Sequence, residues 1–515
     1  MSVDHEFRTR PSPVRPRPRF GRFARPATAA AALALLAACA TMDGITERTA
    51  DSPAHSWVPP AKEVRPPAPL PSPLIPAELQ AGGRTWTLGD IVDVGLANNP
   101  QTRAAWDAAR AASAAVSISQ GAYLPQVNAT LPAAKLKQSY FGGTYIVEQT
   151  TLTPTASLNL LLYDFGGREA SVQSARRALE AANWTQNAVF QNVILQIEST
   201  YYQYLAAQSL LDAQEINRKG AQANYDAAND RHQAGVATIA DVLQAKTALS
   251  TIDLQLVTTR GLIRTLHGAL ASSMGLRADA VFEISDKLPE SIVFDAVDKQ
   301  VDLCIKEAEA RRPDLAASHA LVLQSEAAIR QARATFFPSF SLSGNIGRIY
   351  YQNLQFNGIS SSPASNPFYS ISLSVSLPFL FGLQEYEVLA AKAQAEAARD
   401  QMTEIGRGIE LEVWTSYYGL KTSEQKIRTA RDLLESATAS YDVALGRYKE
   451  GVGSILDLLA AETVLENGRV QLVQAKSDWF LALVQFTHDT GALEPPSASA
   501  KASLPSSPQK GDHRP

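Results

Sequence analysis

The sequence predicts a mostly α-helical chain with a transmembrane β part, made of duplicated half-domains. Three observations carry that expectation. A helix–turn–helix stretch occurs twice, Arg231 to Leu243 and Arg447 to Leu459, with Gly235 and Gly451, and Asp241 and Asp457, each 216 positions apart. Each copy is preceded by a long segment rich in Ala, Gln and Leu, residues that favour helix. Ahead of each long segment the hydrophobic period switches from helical spacing to two, the signature of a strand with unlike faces. Tyr201-Tyr202 matches Tyr417-Tyr418 at the same offset, whereas Pro100 and Pro313, and Pro125 and Pro338, stand 213 apart, so the second half gains three residues between Pro338 and Gly382. A period of that length means a repeated half-domain rather than a solenoid array.

In chain order, residues 1–38 read as a signal peptide: a long Arg- and Pro-rich start, an apolar stretch from Ala27, and small residues before Cys39. Leu36-Ala37-Ala38-Cys39 resembles a bacterial lipobox, which implies cleavage before Cys39 and lipid on its sulfur. A plain signal peptide with an incidental Cys is the alternative. Residues 39–84 form a Pro-rich tether. The first repeat spans 85–275. It opens with a helix broken at Asn98-Asn99-Pro100 and a second helix that starts on the proline.

A β-hairpin is expected over about 123–165, with Gly142-Gly143 at its tip and a second strand from Thr151 to Tyr163. Its counterpart, about 337–381, is clearer. Ser339, Ser341, Ser343 and Asn345 alternate with Phe340, Leu342, Gly344 and Ile346, and Ser370 to Ser376 alternate with Ile371, Leu373, Val375 and Leu377. One small polar face and one apolar face fit a lipid-facing barrel with a wet lumen, and fit an ordinary half-buried hairpin too. Aromatics gather at both ends: Tyr350, Tyr351, Phe368 and Tyr369 at one, Phe336, Phe337, Phe379 and Phe381 at the other. Four strands cannot close a barrel, and an open edge is not viable in hydrocarbon, so three chains sharing twelve strands is the expectation.

After each hairpin comes a helix of about 68 residues, near 100 Å long, which needs partners along its length. Each ends at a Gly, turns, and restarts behind Thr238 or Ser454 with an acid three residues on, a capping-box pattern. The returning helices are expected over about 239–275 and 455–491. Residues 276–298 connect the repeats, 299–492 form the second, and 493–515 read as a disordered tail.

Composition bounds the function. A net charge of −4 gives no reason to expect nucleic acid. Two Cys, 39 and 304, make no disulfide framework, and the seven His show no metal-ligand spacing. No nucleophile–base pair or phosphate loop is present, so neither an enzyme nor a cofactor is expected beyond the lipid on Cys39. His319 and His488 are the conceivable helix-borne bases; lone His residues on helices are usually packed or solvated. A coiled-coil envelope spacer would not need the strict alternation of 339–346 and 370–377.

In order and duplicated, Ala97-Asn98-Asn99-Pro100, Arg311-Arg312-Pro313-Asp314-Leu315, Leu124-Pro125, Phe337-Pro338, Tyr163-Asp164-Phe165-Gly166 and the paired turns resemble the TolC-like outer-membrane efflux protein family over roughly residues 85–492. The resemblance implies a homotrimer with a 12-stranded outer-membrane barrel and a long periplasmic helical barrel. It implies an exit duct, passively conducting small molecules from an inner-membrane pump of RND, ABC or MFS type through a periplasmic adaptor. The alternative is the outer-membrane duct of a type I protein secretion system. It further implies that the turns lie at the periplasmic entrance, with Asp457 facing the lumen and Asp241 and Tyr448 linking helices in the closed state. The Arg that completes this link in the family falls at Gly453. The capping box by itself accounts for both Asp residues equally well. Gly235-Val236 and Gly451-Val452 are the expected adaptor contacts.

Overall fold

The computed structural model describes residues 73, 75, 85–284, 286–289, 300–379 and 382–493. The signal peptide, Cys39, most of the tether, Phe381, much of the connector and the tail beyond Leu493 lie outside the described residues.

Two helices open the described chain, α1 (Leu88–Asn98) and α2 (Pro100–Gly121). Thr87 caps α1 in a capping box with Asp90, and the Asn99 side chain caps α2, whose first residue is the proline. The first hairpin follows as β1 (Gln126–Thr130), β2 (Ala133–Tyr140), β3 (Tyr145–Leu152) and β4 (Thr155–Tyr163). β1 and β2 are one strand interrupted at Leu131-Pro132, and β3 and β4 one strand interrupted at Thr153-Pro154, because proline has no N–H to give to a ladder. The returning strand thus begins at Tyr145, earlier than the alternation alone suggested. The long helix α3 (Gly167–Gln233) and its partner α4 (Ile239–Ser273) complete the half.

The second half repeats the plan: α5 (Val301–Arg311), α6 (Pro313–Ala334), β5 (Ser339–Phe356), β6 (Ile359–Ser361), β7 (Ala364–Ser376), α7 (Leu383–Lys449) and α8 (Ile455–Asp489). Helices α3 and α7 are 67 residues each, and α4 and α8 are 35 each. The returning helices stop two residues short of the expected ends, at the turns before Gly275 and Gly491.

All strands join one antiparallel sheet. β5 pairs with β4 and β3 on one side and with β7 and β6 on the other. Among the described residues, the β1–β2 strand and β7 have no second neighbour, so the sheet is open at both edges. Ser341 and Ser374, and Ser343 and Ser372, hydrogen-bond hydroxyl to hydroxyl at 2.7 Å on one face. On β7 the opposite face presents Tyr369, Ile371, Leu373 and Val375 exposed. β5 is 18 residues long, about 60 Å of strand, which exceeds a bilayer core even when tilted. The excess lies past Tyr350 and Tyr351, where Lys135 and Lys137 pair with Glu148 at 3.3 and 3.1 Å.

The helices pack in two tiers that share α3 and α7. Near the sheet the order is α2–α3–α6–α7; toward the turns it is α4–α3–α8–α7. The main core lies where the tiers meet, around Ile194, Ile197, Leu270, Met274, Ile409, Leu420 and Ile427. The described part of the connector is built into it. Phe282 stacks between Trp86 and His267, and the Tyr201 hydroxyl donates to Asp286. Leu493, placed in the tail by sequence, is buried in the same core. No helix among the described residues is long and apolar enough to cross a membrane.

Candidate functional site

The two turns singled out by the sequence close in the same way. At the end of α3, the Gly235 amide donates to the His232 carbonyl and the Val236 amide to the Arg231 carbonyl, both at 2.9 Å. At the end of α7, the Gly451 amide donates to Tyr448 at 3.1 Å and the Val452 amide to Arg447 at 3.0 Å. This nested pair of bonds is the Schellman closure, which requires a left-handed residue after the helix. Gly235 and Gly451 supply it, with φ of 78° and 76°. The closure leaves Val236 and Val452 projecting outward, 75% and 70% exposed.

Each returning helix starts in a full capping box. The Thr238 amide donates to Asp241 Oδ2 at 2.9 Å and the Asp241 amide to Thr238 Oγ1 at 3.3 Å. In the second copy the Ser454 amide donates to Asp457 Oδ2 at 3.4 Å and the Asp457 amide to Ser454 Oγ at 3.2 Å. Asp241 is half-buried and Asp457 exposed. Asp457 also lines a groove of about 410 Å³ between α7 and α8, with Arg447, Gly453 and Val464 among its walls.

No hydrogen bond within the chain joins the Tyr448 hydroxyl to Asp241. The Tyr448 ring is buried among Tyr441, Leu445, Ile455 and Leu458, and its hydroxyl has no hydrogen-bond partner. Within the chain, what reaches it is Arg231, at the end of α3. The guanidinium lies 4.3 Å from the Tyr448 ring centre and Nη2 donates to the Lys449 carbonyl at 3.2 Å. That arginine joins the tips of the two hairpins across 217 residues of sequence, and nothing local marks it. At Gly453 a side chain would be crowded: a Cβ would fall 3.0 Å from Arg447 Cβ and 3.1 Å from its carbonyl carbon. The cation over the Tyr448 ring comes from the opposite hairpin.

The two histidines weighed as bases read as structural. His319 is exposed, and His488 is held between Asp489 at 3.0 Å and Asn192 at 2.9 Å. Among the described residues no group of His, Cys, Asp and Glu is placed to hold a metal.

The arrangement is one of two joined hairpins with matched tips under an open, amphipathic sheet, and known proteins share it. The chain is 26% identical over 377 residues to Protein CyaE of Bordetella pertussis, covering 73% of this chain and 77% of that one. It is 23% identical over 404 residues to the pyoverdine export outer membrane protein OpmQ of Pseudomonas aeruginosa, covering 76% and 81%. The fold is that of the outer-membrane channel OprN, with a TM-score of 0.71 at 22% identity, covering 79% of this chain and 91% of that one. The profile of the outer membrane efflux proteins, which are ducts and not enzymes, matches residues 92–276 and 304–492. The chain belongs to the outer membrane efflux protein family.

Proposed function

We propose that three copies of this chain form the outer-membrane exit duct of a tripartite efflux system. The observation that carries this reading is the open sheet. Two unpaired edges cannot stand in hydrocarbon and the exposed apolar face of β7 is unfavourable in water, whereas three such sheets edge to edge make a closed barrel of twelve strands with that face toward lipid. The helical tiers continue that barrel below the membrane. The duct is passive; an inner-membrane pump of RND, ABC or MFS type drives it through a periplasmic adaptor. The exposed Val236 and Val452 knobs beside the tight turns suit end-to-end docking of the adaptor. Cys39 carries the lipid that tethers the chain to the outer membrane: labelled palmitate should enter the wild type and not Cys39→Ser, and equal labelling of both removes the lipoprotein reading.

Three-fold symmetry sets three Asp457 carboxylates around one axis at the entrance. At about 6 Å and an effective dielectric near 20, each pair repels by roughly 3 kcal/mol, so the ring attracts cations. The test is conductance of the purified protein in planar bilayers. Wild type should conduct with cation preference and be blocked by divalent ions, and Asp457→Asn should lose both properties. Absence of any conductance from an intact trimer overturns the duct; unchanged selectivity and block in Asp457→Asn leaves that carboxylate a helix cap and nothing more.

A further inference from the structure

Just above the turns, the two halves of the chain meet along α3 and α8, and at this level the meeting surface is polar; further from the turns Tyr202 and Phe480 stack across the same pair of helices. On α3 the seam carries Asn217, Gly220 and Asn224; on α8 it carries Glu462, Glu466 and Arg469; Tyr441 approaches from α7. Arg469 Nη1 donates to Asn217 Oδ1 at 2.5 Å. Glu462 is 5% exposed and points at the α3 backbone so closely that a Cβ on Gly220 would lie 3.3 Å from its Oε1. Asn224, 4% exposed, leans toward both Glu462 and Tyr441, yet its Nδ2 and Glu462 Oε2 complete no hydrogen bond of good geometry. Gln214, one turn earlier on α3, is likewise buried with its Oε1 unpartnered.

A stable helix seam does not usually leave such groups unsatisfied, since each buried polar atom without a partner is destabilising. Glu462 is out of water with Glu466 one turn away and a single arginine nearby, so ionising both is costly and the seam holds best when its carboxyls are neutral. We propose that it is a pH-sensitive joint between the two halves of one chain, closed while the Glu462 and Glu466 carboxyls are protonated and loosened when they ionise. The joint lies close to the turns, Glu462 being eight residues past Ser454, about 12 Å of helix. It deepens the duct reading by supplying a regulation of the entrance.

The electrostatics agree with the geometry. Burial pushes the Glu462 carboxyl above its ordinary range. Burial, and then the charge of Glu462 one turn away, pushes Glu466 up to about 7, against the pull of Arg469. The other titratable group facing them is Tyr441 on α7, itself pushed up by burial. α3 contributes amides and a glycine at this level, and α4, which touches α8 lightly, has Lys246 exposed and Asp253 paired with Arg218. The closed joint binds more protons than the parted one between the ordinary carboxylate value of 4.5 and about 7, so it weakens as pH rises through that window and is fully strengthened only below it.

The experiment reads the joint directly. Nitroxides on Cys placed at exposed Ala223 (α3) and Asn467 (α8), with Cys39→Ser and buried Cys304 left in place, report the separation by double electron–electron resonance in trimers diluted with unlabelled chain. Wild type should show the distance lengthen from pH 5 to pH 8, and Glu462→Gln/Glu466→Gln should lose that response and keep the short distance throughout. A pH-independent distance in wild type, or an unchanged response in the double variant, overturns the joint. The same response in Asp457→Asn is expected; its loss there would move the switch to the entrance ring and also overturn the proposal. Because the distance is read without conductance, a joint that responds in a protein that does not conduct would keep this inference and remove the duct.

Discussion

Helix α8 meets α7 on one side and α3 on the other, and near the turns the two seams are made of opposite materials. Against α7, near the turn, it sets Ile455 and Leu458 with Tyr448, Tyr441 and Leu445, an apolar cluster in which Leu458 is wholly buried. Against α3 it sets Glu462 and Arg469 among asparagines, with buried atoms left unpartnered. The first seam joins helices of one hairpin. The second joins the two hairpins; near the turns it is polar, and it becomes apolar only further along, where Tyr202 of α3 stacks on Phe480 of α8. A helix pair held by apolar contact resists parting at any pH, while one held by polar groups parts as their ionisation changes. The difference teaches where ionisation can act near the turns: on the contact between hairpins rather than on the contact within the second one.

The comparison is broken most severely at Leu458. Leu458→Ala should destabilise the second hairpin tip by about 3 kcal/mol, the usual scale for a fully buried leucine. Hydrogen exchange in the first turns of α8 should then speed up on the order of a hundredfold. If exchange is unchanged, the apolar cluster is not what holds the hairpin. A smaller effect belongs to Arg231, which bridges the hairpins at their tips. Arg231→Met should weaken that link by about 1 kcal/mol and raise the fraction of open conductance events. Tyr448→Phe should do nothing measurable to either stability or gating, because the ring receives the guanidinium and the hydroxyl makes no hydrogen bond. Gating lost in Tyr448→Phe and kept in Arg231→Met would return the role to the hydroxyl.

Legibility in the sequence follows the range of the interactions. The capping boxes at Thr238–Asp241 and Ser454–Asp457, the glycines at 235 and 451 and the helix starts at Pro100 and Pro313 were readable because each involves residues within one or two turns. The strands were readable as alternation, but not their full length: β3 and β5 run on past the apolar stretch, where pairing with neighbours rather than hydrophobicity sustains them. The connector looked like a linker because its composition is mixed, and Phe282 and Asp286 are fixed only by Trp86, His267 and Tyr201 from elsewhere in the chain.

By itself, then, the sequence determined the duplication, the order of helices and strands, and the chemistry of each turn, all of which follow from local spacing and hydrophobic period; the family was legible as a resemblance of its motifs. The tertiary structure alone decided that Arg231 caps the Tyr448 ring and that Glu462 faces Gly220 and Asn224. Those contacts join residues more than 200 positions apart or depend on which face of a 67-residue helix turns toward its neighbour. Asn217, Gly220 and Asn224 lie at helical spacing in an Ala-rich helix, and spacing alone does not say which neighbour they face. Packing sets them against Glu462 and takes the water from around it, and burial of that kind raises a carboxyl above its ordinary range.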